Sequence, residues 1–427
     1  MREGNGDPAN ACYAGIDLGT SGCRVAAIDA GGGVLATTRV DYPADAGQTP
    51  GLWWSATRQA LAGLPENIRA NLQAMAVDGT SGSILLTDWQ GDPTSPALMY
   101  DDARAVEQSR RIADVAPHES GAHGATSSLA KLLWLLEHYP GLPHAHALHQ
   151  ADWIAGKLAG HFGFSDTNNC LKLGFDPVRQ EWPEWVKLLV PECLLPTVYL
   201  PGEPIPSANG KAGDGVLPHV SLCAGTTDSI AAFIATGASA IGDAVASLGS
   251  TIALKIISEK PVFAPEYGVY SHRLGDMWLA GGASNSGGAV LLHYFSRAEL
   301  ERLTPQLRPG QPLGLDYYPL VKPGERFPHA DPHWQPCLTP RPADDAQFLQ
   351  AMLEGMSRIE HAGWRKLHEL GAPYPATLRT VGGGSRNPAW MRMRATLIGA
   401  PMPPAHQCEA AYGAALLALH GAAYCRK

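Results

Sequence analysis

Two stretches half the chain apart repeat one pattern. "GIDLGTSGCRVAAI" (residues 15–28) and "AVASLGSTIALKII" (244–257) each run from apolar residues through Leu-Gly and two hydroxyl side chains into a second apolar run. A tight turn of this kind between strands presents successive backbone N–H groups and forms a nest for an anion. Glycine lets the backbone approach a phosphate closely, and hydroxyls add neutral donors. Gly19, Thr20 and Ser21 in the first copy, and Gly249, Ser250 and Thr251 in the second, are therefore candidate phosphate ligands. Facing each other across a cleft, the two turns could hold one polyphosphate. The copies differ at one telling position, where the first has Asp17 and the second Ser247. A carboxylate beside a phosphate nest is repulsive without a cation between them, so Asp17 implies Mg2+, held through water. A plain hairpin turn would explain one copy as well, but it explains a matched pair less well.

A third stretch, "LRTVGGGSRNPAW" (378–390), reads as an apolar strand running into Gly382, Gly383 and Gly384. Asn387 then suits a helix N-cap and Pro388 the first helical position. Missing side chains leave a slot that suits a nucleotide's base or ribose, with Trp390 available to line it; a flexible connection is the alternative reading. No GxxxxGK[ST] loop occurs in the chain. In "GTTDSIAAF" (225–233), Asp228 stands behind two hydroxyls and ahead of a helix of small residues. Its plainest role there is a helix N-cap.

Several elements must position these groups. Residues 13–29 read as strand, turn, strand, and "VLATTRV" after Gly33 alternates like a third strand. A helix is expected over 53–72, then a strand through "AMAVDG" into "TSGS". "SSLAKLLWLLEHY" opens on serine caps and sets Leu129, Leu132, Leu133 and Leu136 on one helical face. Strands mixed with helices in this order predict an α/β fold. At 427 residues the chain suits two domains, and the Pro- and Gly-dense segment 200–220 places the division at 1–215 and 216–427.

Composition excludes several classes. Hydrophobic residues make up 45% and charged residues 17%, which is a folded globular chain. A net charge of −8 without a basic stripe argues against nucleic acid as a partner. Eight cysteines without a CxxC pair read as buried thiols in a reducing compartment. Cys23 reads as a packed strand residue. The polar first ten residues do not read as a signal peptide, and no apolar run reaches the ~20 residues that span a bilayer. A cytoplasmic monomer or homodimer is expected. His144, His146 and His149 in "HAHALH" read as a solvated loop rather than a metal site.

Taken together, "GIDLGTSGCRVAAID", "VDGTSGS", "YDDAR", "CAGTTDSIAAF", "SLGSTIAL", "DYYPLVKPGERFP", "GGASNSGG", "VGGGSRNPAW" and "EAAYGAALLA" resemble the FGGY carbohydrate kinases of the actin-like ATPase superfamily. They fall in family order from residue 13 to about 419, and the short chain looks most similar to compact D-ribulose kinases. The resemblance implies two actin-like (ribonuclease H-like) domains closing on ATP and a small-molecule sugar. It assigns Asp228 as the base that takes the proton of the attacking sugar hydroxyl. It also assigns Thr80 and Ser81, together with Asp102 and Arg104 of "YDDAR", to the sugar side. Asp166 in "FSDTNN" fits a further family position and equally a turn. Xylulose kinases resemble Gln-Met-His in this stretch, whereas the Asp-x-Thr-Ser pattern here looks more like ribulose-type kinases, so the resemblance points to phosphorylation of a ketopentose, D-ribulose first. Another sugar or polyol such as D-xylulose, or an ATP-binding sensor without transfer activity, are the alternatives.

Overall fold

The computed structural model describes residues 11–206 and 220–424. The ten N-terminal residues and most of the expected boundary segment lie outside these described residues. The chain divides into two compact units: residues 1–235 with 272–276 and 409–427, and residues 236–271 with 277–408.

The first unit is built on a five-stranded mixed sheet. Its strands are β1 (Cys12–Leu18), β2 (Gly22–Asp29), β3 (Val34–Asp41), β4 (Leu72–Gly79) and β5 (Ser221–Thr227), in the order β3-β2-β1-β4-β5. β1 to β3 form the expected antiparallel meander, while β4 lies parallel to β1 and β5 parallel to β4. Both faces of the inner strands are buried, as their near-continuous apolar letters require. The helix expected over 53–72 is two pieces. α1 (Pro50–Ala62) starts on the Thr49 cap and stops at Gly63, and a short helix Glu66–Asn71 follows Pro65. Proline lacks the N–H that a continuing helix would use. α2 (Ser128–His138) is capped by Ser127 and buries Leu129, Leu132 and Leu133. α3 (Gln150–Ala159) follows, and β5 runs directly into α4 (Asp228–Ala235).

The second unit repeats the plan. Its sheet includes, in order, β8 (Met277–Ala283), β7 (Ile252–Ser258), β6 (Asp243–Leu248) and β9 (Thr377–Val381). β6 and β7 form an antiparallel hairpin, and β9 lies parallel to β6. A short helix α5 (Gly288–Tyr294) and two longer ones, α6 (Asp345–Glu369) and α7 (Pro388–Ile398), bury Val290, Trp364, Leu367 and Met393 in this unit's core.

The last helix, α8 (Ala410–His420), returns to the first unit. Its fit needs two glycines. A Cβ at Gly15 of β1 would lie 2.0 Å from Ala411 O, and one at Gly413 would lie 1.8 Å from Ala231 O of α4. The expected cut at 215/216 therefore differs from the structure, in which residues up to 235, 272–276 and 409–427 belong to the first unit. Ladder bonds from β5 to β4 keep residues 221–235 with the first unit, and these glycine contacts bring residues 409–424 back to it.

Candidate functional site

Strand register assembles an acidic row in the first unit. Asp17 near the end of β1 pairs with Asp78 near the end of β4, and Asp78 pairs with Thr226 near the end of β5, two residues before Asp228. β1, β4 and β5 run parallel, so all three acids gather at the C-terminal ends of adjacent strands, where open α/β sheets receive ligands. Asp17 is 5% exposed and Asp78 0%, while Asp228 is half-buried at the start of α4. Burial raises the Asp17 carboxyl above the usual carboxylate range, against the lowering effects of Asp78 and Arg24. The Arg24 guanidinium approaches Asp17 at 3.4 Å. Burial, then the charges of Asp17 and Asp228, push Asp78 well up. Among the described residues no N–H or O–H donor on another side chain or backbone reaches either Asp78 oxygen. Asp17 is its partner in the strand register, and the charge of that carboxyl adds to burial in disfavouring ionisation of Asp78.

The phosphate turn of this unit closes through Gly19 N–H to Gly22 O at 3.0 Å. Thr20 and Ser21 are exposed at its tip, and Gln48 steadies Thr20 O at 2.7 Å. Since the Gly19 amide is engaged within the turn, an anion there would meet Thr20 and Ser21.

The loop after β4 carries the expected sugar-side residues. Thr80 is 3% exposed, and its hydroxyl donates to Gln150 Oε1 at 2.7 Å and pairs with Ser83 Oγ at 2.6 Å. It thus shapes the loop, and Ser81 is the half-buried residue at its bend. Two lysines converge here that the sequence reading did not single out. Lys172 Nζ lies 3.5 Å from Ser81 O; burial lowers its pKa, and the charge of Asp228 works the other way. Lys131, on α2, is fully buried with Nζ donating to Met99 O at 2.7 Å. Burial, then the charge of Lys172, brings it down to about 8. The only signal for Lys131 was a lone cation in an apolar helix; nothing local marked Lys172, which reaches the loop from residues 91 positions later.

Other expected residues fall elsewhere. Asp102 is held by Arg104 through an ion pair at 2.8 Å, and the guanidinium also covers the Trp134 ring at 4.9 Å. Asp166 is a buried N-cap, accepting from Asn168 N and Asn169 N. Its neighbour Asn168 bonds Thr226 Oγ1 at 3.0 Å and Arg273 O at 3.0 Å, which anchors the end of β5. His144 lies half-buried on a loop, and the other two histidines do not lie in a solvated loop. His146 and His149 are buried on a strand, each of the three has its own polar or aromatic neighbours, and no group of three metal-binding side chains occurs among the described residues. Cys23 is packed as expected, and burial pushes its thiol up to about 12.

In the second unit the matching turn closes through Gly249 N–H to Thr251 O at 3.2 Å. It is backed by the start of α5, where Gly288 N–H bonds Gly249 O at 2.9 Å. Gly287 has φ +150°, and a Cβ there would lie 2.7 Å from Thr251 Cα, so a side chain would displace the turn. β9 ends in the exposed Gly382 (φ +86°) and Gly383, with Gly384 half-buried behind them. Asn387 caps α7 as expected, accepting from Ala389 N and Trp390 N and donating to Thr304 Oγ1 at 3.3 Å. Trp390 corrects its expectation. It is 1% exposed beneath the loop, where a Cβ on Gly384 would meet its ring at 2.4 Å, so it supports the glycine slot from below and presents no face to a ligand.

Comparison with known proteins agrees with this architecture. Sequence models of the N-terminal and C-terminal domains of the FGGY family of carbohydrate kinases match residues 12–235 and 244–422. A xylulose kinase of Bacillus subtilis is 27% identical over 96% of this chain and 88% of its own. One from Escherichia coli is 25% identical over 91% and 85%. The crystal structure of a xyloylose kinase from Brucella ovis superposes with a TM-score of 0.84 at 23% identity, covering 96% of this chain and 90% of that one.

Proposed function

Because the chain belongs to the FGGY family of carbohydrate kinases and is a sugar kinase, we propose that it transfers the γ-phosphoryl group of ATP to the terminal hydroxyl of a ketopentose. D-ribulose is the first substrate, giving D-ribulose 5-phosphate and ADP. The observation that carries this reading is the acidic row. One sheet register brings Asp17, Asp78 and Asp228 to neighbouring strand ends, beside a loop whose Ser81 carbonyl is met by Lys172.

In this reading Asp228 takes the proton as the sugar oxygen forms its bond to the γ-phosphorus and the bond to the ADP oxygen breaks. Phosphoryl transfer depends mainly on alignment and charge neutralisation, and a positioned base adds about 10²–10⁴ in rate. Thr20 and Ser21 hold phosphate in the first unit, and Ser250 and Thr251 do so in the second, where the Gly249 amide, like that of Gly19, closes the turn. Gly383 and Gly384, braced by Asn387 and Trp390, form the adenosine slot. The residues present fit Mg2+, since Asp17 and Asp78 crowd two acids beside a phosphate turn and a cation relieves that repulsion. When bound through Asp17, magnesium would offset phosphate charge. Ser81 and Lys172 face the sugar hydroxyls, and Thr80 keeps their loop in shape.

D-xylulose is the second reading, favoured by the names of the related enzymes. The choice of D-ribulose rests on the loop, which has Thr80 and Ser81 where Gln-Met-His would be expected of a xylulose kinase. The deciding experiment follows ADP release with D-ribulose, D-xylulose, other pentuloses, pentitols and glycerol. A preference for D-ribulose in kcat/KM supports the proposal, and a preference for D-xylulose replaces it with the second reading. ADP formation indifferent to every sugar defeats both.

A further inference from the structure

Ser128, His149 and Asp152 form a chain of hydrogen bonds in the order familiar from hydrolases. Ser128 Oγ meets His149 Nε2 at 3.1 Å, and His149 Nδ1 meets Asp152 Oδ2 at 2.8 Å. Their exposures are 0%, 0% and 4%, so no substrate reaches the serine and its use is not nucleophilic. Asp152 Oδ2 also accepts the backbone N–H of His149 at 3.0 Å, completing a capping box at the start of α3. Ser128 is the first residue of α2. The chain therefore ties together the N-terminal ends of two helices.

What this tie holds in place is Gln150, the first residue of α3, itself 0% exposed. Its Oε1 accepts from Thr80 N at 3.1 Å and Thr80 Oγ1 at 2.7 Å, and its backbone N–H donates to Ser83 O at 3.1 Å. Each of these bonds ends on the loop between Gly79 and Ser83. A backbone N–H can only donate, so the amide oxygen of Gln150 must be the atom that faces Thr80. The amide nitrogen is then buried without a hydrogen-bond partner among the described residues. A core selected for stability alone would avoid an unpaired buried donor. α2 carries Lys131 to the other side of the same loop, where a Cβ at Gly82 would lie 3.8 Å from Lys131 Nζ.

We propose that Gln150, fixed by the Ser128–His149–Asp152 chain, is the positioning residue of the sugar-facing loop and sets where Ser81 meets the substrate. The inference rests on the reading of residues 79–83 as the sugar side. It acts through the loop and touches no reacting atom. Gln150→Met keeps the size and removes the acceptor, and Ser128→Ala cuts the far end of the chain.

The test uses the full chain and two readouts. Steady-state kinetics of Gln150→Met should show a KM for the preferred pentulose raised about tenfold, with the KM for ATP within about twofold of wild type. Ser128→Ala should move the pentulose KM in the same direction by a smaller factor. Hydrogen exchange in the absence of any substrate should show lost protection over residues 79–83 in Gln150→Met, with unchanged protection over 12–29. An unmoved pentulose KM overturns the inference, as does an equal rise in both KM values accompanied by a fall in Tm, which is the signature of a merely structural role. If Gln150→Met does not fold, Ser128→Ala and Thr80→Val against Thr80→Ser carry the same comparison. Should wild type phosphorylate no sugar, the proposed function fails, and the exchange pattern alone then decides the positioning role.

Discussion

Glu360 and Arg394 offer the most quantitative check on the second unit. Arg394 Nε lies 2.5 Å from Glu360 Oε2 with both side chains at 0% exposure, and Nη2 lies 2.7 Å from Oε1. Trp364 Nε1 adds a bond to Glu360 at 3.2 Å, and Arg394 Nη1 donates to Thr380 Oγ1 at 2.9 Å. Helices α6 and α7 are thereby pinned to β9, two residues ahead of Gly382. Glu360→Gln leaves one amide oxygen to accept but strands a guanidinium charge away from water. Breaking a buried pair from one side costs about 3–5 kcal/mol, and the retained acceptor places this variant near 3. For a unit of about 170 residues, unfolding entropy of about 2.1 cal/mol/K per residue turns ~3 kcal/mol into a Tm drop of about 8 °C. Replacing both partners, Glu360→Leu with Arg394→Met, should recover most of the loss, since a buried pair contributes little net stability over a well-packed apolar pair. Denaturant unfolding measures these differences, and calorimetric titration with ADP should show weaker binding in Glu360→Gln. A loss below about 1 kcal/mol in the single variant, or a double variant as unstable as the two singles added together, would refute the reasoning.

Asp228→Asn should lower kcat by about 10²–10⁴ and leave ATP affinity nearly unchanged; an equal loss of nucleotide binding, read by titration, would remove it from the base role. Gly413→Ala should lower stability by several kcal/mol or abolish soluble expression, because its Cβ would sit 1.8 Å from Ala231 O. Helix propensity alone predicts the opposite sign, a gain of about 1 kcal/mol, so a thermal melt separates the two. Burial, then the Asp152 charge, holds Asp166 up at about 7. A folded pKa above the unfolded value of about 3.9 means that its contribution is complete below about pH 4 and is lost as pH rises through 7. Asp166→Asn should flatten that part of the stability–pH curve, and an unchanged slope would show that the buried carboxyl does not titrate there.

Legibility in the sequence followed the range of the physical cause. Both Leu-Gly turns and the Asn387 cap were readable because a turn or cap is decided by a few adjacent letters. The break in the helix expected over 53–72 was readable in principle too, since Gly63 and Pro65 both stand at it. The extent of the first unit was not, because ladder bonds from β5 to β4 and the close fit of Gly413 are contacts between residues far apart in the chain. Trp390 shows the same limit within a site. Its letters place it after the glycine slot, but only packing decides that the ring lies beneath Gly384. Lys172, Gln150 and Asp78 were missed for this reason as well, since each acquires its significance from a partner on another element.

The internal repeat gains its meaning from the register. In the first unit Asp17 pairs with Asp78 across β1 and β4, whereas the equivalent positions across β6 and β9 are Ser247 and Val381. Both sheets keep the antiparallel hairpin, the Leu-Gly turn and a parallel neighbour that runs into a glycine, so the backbone device proposed to bind phosphate is present twice. Only one copy carries the acids, and with them the proposed metal and proton chemistry. β1 lies close enough to α8 to exclude a side chain at Gly15, and α8 lies equally close to α4 at Gly413. The same helix thus braces the strand that carries Asp17 and the helix that begins with Asp228. A substitution on α8 far from any ligand should therefore disturb both acids together, whereas changes around Gly287 should disturb the second turn and leave the acids where they are.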